Sequence, residues 1–185
     1  MATYPGGDIA GHLRQMNAAK TLLFDDVIAF TAEVDTDVID IALQWTLNPE
    51  EEIHSFVNGV ATTGGGMHVE GFKKGLTGAV HGALKSLHGS SMLGVELFGE
   101  DIREGLTAIV WADVDAPLFE GWTHSKLANR EVRSAVELAT RHYLGEWFEE
   151  NVALARQVVE KATVAAESRV AARKEWDERR RGDRP

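Results

Sequence analysis

Apolar residues recur with two periods along this chain, and the period changes where Gly, Pro or Asp clusters intervene. Val27 to Val34 and Val38 to Thr46 are rich in β-branched and aromatic residues and flank Asp35-Thr36-Asp37, which predicts a hairpin. Ile53 to Asn58 predicts a third strand, and Leu106 to Val114 alternates as a fourth, with Pro117 ending it. The remaining apolar positions follow a helical spacing. Ile9, Leu13 and Met16 form one stripe after Asp8, a natural N-cap, predicting a helix through about Lys20. The run Thr62-Thr63-Gly64-Gly65-Gly66 permits unusual backbone angles ahead of a helix from about Val69 to Leu87, and Gly89 to Gly99 breaks the periodicity again. Val132, Val136, Ala139, Tyr143 and Trp147 line one helical face, and Val152, Ala155, Val159, Ala162 and Ala166 line another, so two sequential helices meet near Asn151. No internal repeat or linker domain is visible.

Composition narrows what such a chain can be. Its 185 residues suit one domain with a real core, and 44% hydrophobic against 26% charged residues is an ordinary globular balance. No window approaches the roughly 18 apolar residues of a membrane span, and MATYPGGDIAGHL lacks the basic start and apolar run of a signal peptide, so a cytoplasmic location is expected. The absence of cysteine excludes disulfides, thiolate metal sites and cysteine nucleophiles. Residues 169–185 hold seven Lys/Arg and four Asp/Glu, a net +3 that leaves −13 on the rest of a chain of net charge −10. Phosphate attraction dominates nonspecific DNA affinity, so autonomous nucleic-acid binding is not expected and Arg179-Arg180-Arg181 reads as a solvated helix end.

Several segments carry a family likeness in order: Tyr4-Pro5-Gly6-Gly7, Ala42-Leu43-Gln44-Trp45, Ser55-Phe56-Val57-Asn58, Gly65-Gly66-Met67-His68-Val69-Glu70-Gly71-Phe72, the stretch from Gly99 to Arg133, and Val158-Val159-Glu160-Lys161-Ala162. Over residues 4–180 the chain resembles the transducer domain of type IIA topoisomerase ATPase subunits, the gyrase B and topoisomerase IV family. The resemblance implies an α+β fold like the second domain of ribosomal protein S5, with a mainly antiparallel sheet, helices packed across it and a long C-terminal helix. It implies a transducer-like domain over 1–150 and a projecting helix with a basic tail over 151–185. It also implies no ATP hydrolysis or DNA passage by this chain alone, since neither the ATP-binding domain nor the metal-binding domain of the family is included. In that family the loop after Phe-Glu-Gly runs Gln-Thr-Lys and holds the terminal phosphate of ATP. Here it reads Trp122-Thr123-His124. The family commonly has Ser and Lys at the places of Trp111 and Asp113, and Gln at that of Leu118.

Lysine is a fixed cation, whereas histidine titrates near neutrality and tryptophan offers one N–H donor and a large apolar face. Strand alternation sends Leu106, Ala108, Val110, Ala112 and Val114 to a core face and Thr107, Ile109, Trp111, Asp113 and Asp115 to the other. On this reading Trp111, Leu118, Phe119 and Trp122 wall an aromatic pocket for an organic small molecule, while His124 moves protons and Asp113 orients it, for a cofactor-free isomerisation or cyclisation. The alternative is an interaction module: a decoy, inhibitory or protective partner of a topoisomerase, or a fragment of a divergent gyrase B polypeptide. The alanine-rich seam of the last helix leaves a homodimer open. Neither metal nor cofactor is expected: His81 and His88 stand seven apart, and Gly64-Gly65-Gly66 matches no nucleotide fingerprint and is better read as a family turn. Ser55, Ser86, Ser90 and Ser91 lack a nucleophile-elbow context, His68 reads as a capping or packing residue, and Glu100-Asp101 and Glu149-Glu150 as caps and solvated ends.

Overall fold

A computed structural model describes residues 8–88 and 94–182. The Tyr4-Pro5-Gly6-Gly7 turn, Ser90 and Ser91 lie outside the described residues, as do the last three residues of the basic tail. Asp8 caps α1 (Ile9–Asn17), accepting a hydrogen bond from the Gly11 N–H at 2.7 Å. The hairpin follows as β1 (Ile28–Val34) and β2 (Asp37–Trp45), joined by two residues of which Asp35 takes φ 55°. Next come β3 (Glu52–Val57), a short β4 (Val60–Ala61), α2 (Met67–His88), a one-turn α3 (Gly99–Arg103) and β5 (Leu106–Asp113). A small second sheet is made by β6 (Phe119–Glu120) and β7 (Lys126–Leu127), and the chain ends with α4 (Arg130–Glu150) and α5 (Val152–Gly182).

The main sheet runs β1-β2-β5-β3-β4. All pairings are antiparallel except β3 with β5, which is parallel because the crossover through α2 and α3 returns the chain in the same direction. The fold is α+β, as the resemblance implies. One face of the sheet meets α2, α4 and α5 in the main core, which holds Leu106, Ala108, Val110, Ala112 and Val114 together with Ile39, Ile41, Leu43, Phe72 and Leu76. The opposite face is not left open. There α1 lays Leu13 onto Ala42, Phe56 and Ile109, with Ile9, Met16 and Trp111 packed around them. This second core also contains a buried polar chain: Thr107 Oγ1 donates to Asn17 Oδ1 (2.8 Å), Asn17 Nδ2 to Gln44 Oε1 (3.0 Å), and Gln44 Nε2 to the carbonyls of Phe24 and Asp25 (3.3 and 3.2 Å). Each buried amide thereby finds partners that burial would otherwise deny it.

The last helix is not simply an appendage beyond residue 151. Ala155, Val158, Val159, Ala162 and Ala166 belong to the main hydrophobic cluster, and only after Arg169 is every described α5 side chain exposed. Among the described residues, no helix is long and apolar enough to cross a membrane.

Candidate functional site

The loop singled out in the sequence is a built hairpin, and two asparagines account for its posture. Where β5 ends, Asn58 clamps the exit, its Oδ1 accepting from the Val114 N–H (2.7 Å) and its Nδ2 donating to the Val114 carbonyl (2.9 Å). At the base of the hairpin the nearly buried Asn129 accepts from the Leu118 N–H (2.6 Å) and donates to the Ala116 carbonyl (3.2 Å), while the Ala128 N–H donates to the Leu118 carbonyl (2.7 Å). Asn129 also donates to Glu131 Oε1 (2.6 Å), which holds that carboxyl below its ordinary range. Strands β6 and β7 then pair Phe119 with Leu127 and Glu120 with Lys126. The second pair carries a 2.8 Å ion pair that raises the lysine above its usual range.

The glycine run serves this hairpin. Gly64 N–H donates to the Ser125 carbonyl (2.8 Å), Leu127 N–H donates to the Gly65 carbonyl (3.1 Å), and Gly66 bridges Leu127. A side chain at Gly66 would collide with the Leu127 backbone, and its φ of 129° already excludes most residues. The triplet therefore permits backbone approach, consistent with a turn.

The six sequence-selected residues occupy different surfaces. His124, at φ 49°, stacks on Phe119 with ring centroids 4.9 Å apart and 15° between planes. Trp122 is fully exposed at the tip, and Leu118, at the base of the hairpin, is 63% exposed. Trp111 lies on the α1 side of the sheet, half-buried and stacked on Phe56 at 5.4 Å. Asp113 is exposed at the strand end, and no hydrogen bond or ion pair joins it to His124 among the described residues. Among the described residues, Trp111 and Asp113 belong to β5 of the main sheet, whereas Phe119, Trp122 and His124 belong to the hairpin of the small sheet. A groove of about 1090 Å³ runs between β3, β4 and the start of α2, lined by Ile53, Phe56, Val60, Val69 and Lys73 and touching the hairpin at Thr123 and Lys126, and none of the six lines it. No group of three His, Asp or Glu residues among those described is placed to hold a metal ion.

Sequence reasoning passed over Asn129, although Asn directly before a helix start is a recognisable capping signal. It also passed over Asp101 as more than a cap, although that carboxylate is 4% exposed and binds Arg169 of α5 at 2.8 and 2.9 Å.

An α+β sheet packed with helices and ending in a long helix defines a class of fold that is also found in a solved gyrase B ATPase domain. The sequence model of DNA gyrase B matches residues 8–178. The DNA gyrase B polypeptide of Micrococcus luteus is 40% identical over 176 residues, covering 92% of this chain and 24% of the relative. The type 2 topoisomerase B polypeptide of Aquifex aeolicus is 41% identical over 162 residues, covering 88% and 20% respectively. The crystal structure of the 43K ATPase domain of Thermus thermophilus gyrase B in complex with an aminocoumarin superposes with a TM-score of 0.85 at 30% identity, covering 91% of this chain and 45% of that one. The chain belongs to the DNA gyrase B family. It spans between a fifth and a quarter of the length of these two relatives.

Proposed function

We propose that this chain works as the transducer part of a divergent gyrase B-type protein, a coupling element and not a free-standing catalyst. What carries the reading is the match to the gyrase B family over residues 8–178, and the resemblance noted above implies that Trp122 and His124 on the clamped hairpin take the places of the family's phosphate-holding Gln and Lys. The hairpin is pre-organised by Asn129, by the Glu120–Lys126 pair and by its seam with Gly64 and Gly65, so its tip meets a neighbour without paying a large ordering cost. An exposed Trp at such a tip is a strong anchor for a protein surface and a poor grip for a phosphate. Small-molecule isomerisation has no comparable support, since none of its proposed residues lines the groove between β3, β4 and α2.

The test is a chimera in which residues 8–178 replace the matching segment of Micrococcus luteus gyrase B. The expected outcome is an assembled enzyme with weak ATP turnover, which Trp122→Gln with His124→Lys raises by roughly 10- to 100-fold, the size of one hydrogen bond to a charged group. An assembled chimera whose turnover ignores both substitutions would count against the reading. Inhibition of intact gyrase by the added chain, with no activity in the chimera, would favour a decoy instead.

A further inference from the structure

We propose that the Asp101–Arg169 pair is the joint that fixes the direction in which α5 leaves the body, making Arg169 a positioning residue for the projecting half of that helix. The inference deepens the coupling role proposed above, but the observations behind it are independent of that role.

Past Ala166 no apolar side chain of α5 is buried, and Arg169 is the last described residue of the helix that is not exposed. Among the described residues, the contacts between α5 and the body at this level therefore pass through one guanidinium. Its Nε donates to Asp101 Oδ1 at 2.8 Å and its Nη2 to Asp101 Oδ2 at 2.9 Å, the fork geometry that fixes both distance and plane. Nη2 also donates to the Glu96 carbonyl at 2.9 Å, and the guanidinium lies 4.1 Å over the Phe98 ring. The Glu100 carboxylate stands 3.6 Å away, and Arg169 holds Asp101 below its ordinary carboxylate range despite burial.

The acceptor side is equally constrained. Asp101 Oδ2 accepts from the Phe98 N–H at 2.7 Å, closing the turn of α3 on itself. The next residue, Ile102, is buried and its carbonyl accepts from Trp45 Nε1 at 2.9 Å, which ties α3 to the end of β2. Gly105 then accepts from the Thr46 N–H at 2.8 Å, and β5, the central strand, begins at Leu106. Arg169 thus joins the long helix to the segment that is bonded into the two central strands. Two helical turns earlier the Lys161–Glu104 pair at 3.3 Å touches the same segment, but there α5 is already gripped by Ala162, Ala165 and Ala166, so the pair is redundant for direction.

The chain has no cysteine, so Leu138→Cys on α4 and Arg173→Cys on the free half of α5, both exposed positions, accept spin labels on an otherwise unlabelled protein. Pulsed electron paramagnetic resonance on this chain is expected to give one narrow distance distribution. In Asp101→Asn, which keeps an acceptor for the Phe98 N–H, and in Arg169→Gln, the distribution broadens about twofold. In Lys161→Met it keeps the parent width. A second label pair at Leu138 and Val60 checks that the body is unchanged. A parent-like distribution in either folded joint variant, an equal broadening in Lys161→Met, or loss of the fold in both joint variants overturns the inference. Because these readings need no nucleotide and no partner, their outcome is separate from that of the gyrase chimera.

Discussion

At the residue scale, His68 shows how burial alone sets a pH response. It is wholly buried near the start of α2, with Nε2 3.2 Å from Thr62 Oγ1, which in turn lies 2.8 Å from Ser55 Oγ. Desolvation depresses its pKa from 6.5 to about 4, so the imidazole is neutral in the fold and takes up a proton more readily in the unfolded chain. The unfolded state binds more protons between these values. Stability is therefore complete above pH 6.5 and falls as pH drops toward 4, by about 2 kcal/mol between pH 7 and pH 5. The carboxyls of Glu51 and Asp101, held by Lys73 and Arg103 and by Arg169 below their ordinary values of 4.5 and 3.8, contribute stability that is lost as pH falls below those ordinary values, under the pH 5–7 interval. Urea titrations at pH 5 and 7 should show this loss in the parent and a nearly flat response in His68→Gln; an equal slope in both would assign the pH dependence to other groups. The sequence marked His68 as a capping or packing residue, and the structure buries it wholly, a depth that could not be read from a helix start alone. The same holds for Trp111 and Trp122: their rings were visible as unusual, whereas the chain between them is held by Asn58 and Asn129, which bond to the Val114 and Ala116 carbonyls from other segments.

At the scale of elements, α2 and α4 pack through glycines spaced as Gly71, Gly75 and Gly78. A methyl at Gly75 would stand 2.6 Å from the Glu137 carbonyl and 2.7 Å from Thr140 Cβ, and one at Gly71 would collide with the Arg133 carbonyl. Overlap of this kind costs roughly 1–3 kcal/mol or more, which exceeds the approximately 1 kcal/mol that alanine gains over glycine inside a helix. Gly82, on the same helix, has nothing within 4 Å of such a methyl. Gly75→Ala should thus lower stability by about 1–2 kcal/mol while Gly82→Ala raises it by up to about 1 kcal/mol, and thermal denaturation of the two single variants decides. Equal signs would mean that α2 can shift away from α4 freely. Periodicity was enough to find the long helices and four main strands, since each buries a repeating stripe. It was not enough for β4, although Asn58-Gly59, at φ 49° and 79°, is a strong two-residue hairpin signal that was open to reading. Nor does alternation reveal that β5 enters between β2 and β3, or that α1 turns the reverse face into a second core, because strand order depends on contacts distant in sequence.

For the whole molecule, the question is where the globular body stops. A helix junction at Asn151 suggests a body ending there, but the packing carries α5 through the main core as far as Ala166 and ties it down at Arg169. Removing Ala155, Val158, Val159, Ala162 and Ala166 forfeits on the order of 6 kcal/mol of apolar burial, comparable with the entire net stability of an ordinary domain, and uncovers the core beneath them. The described side chains from Val170 to Arg180 bury nothing of that kind: Val170 and Trp176 remain about half exposed, and the Arg180 guanidinium over the Trp176 ring is a contact within the helix itself. A chain ending after Ala172 should therefore unfold cooperatively within about 3 °C of the parent, while a chain ending after Asn151 should show no cooperative transition. Calorimetry of both truncations distinguishes a lever rooted in the core from a detachable appendage. A sharp transition in the shorter chain would place the helix outside the folding unit, and the Asp101–Arg169 joint would then connect two bodies where the packing describes one.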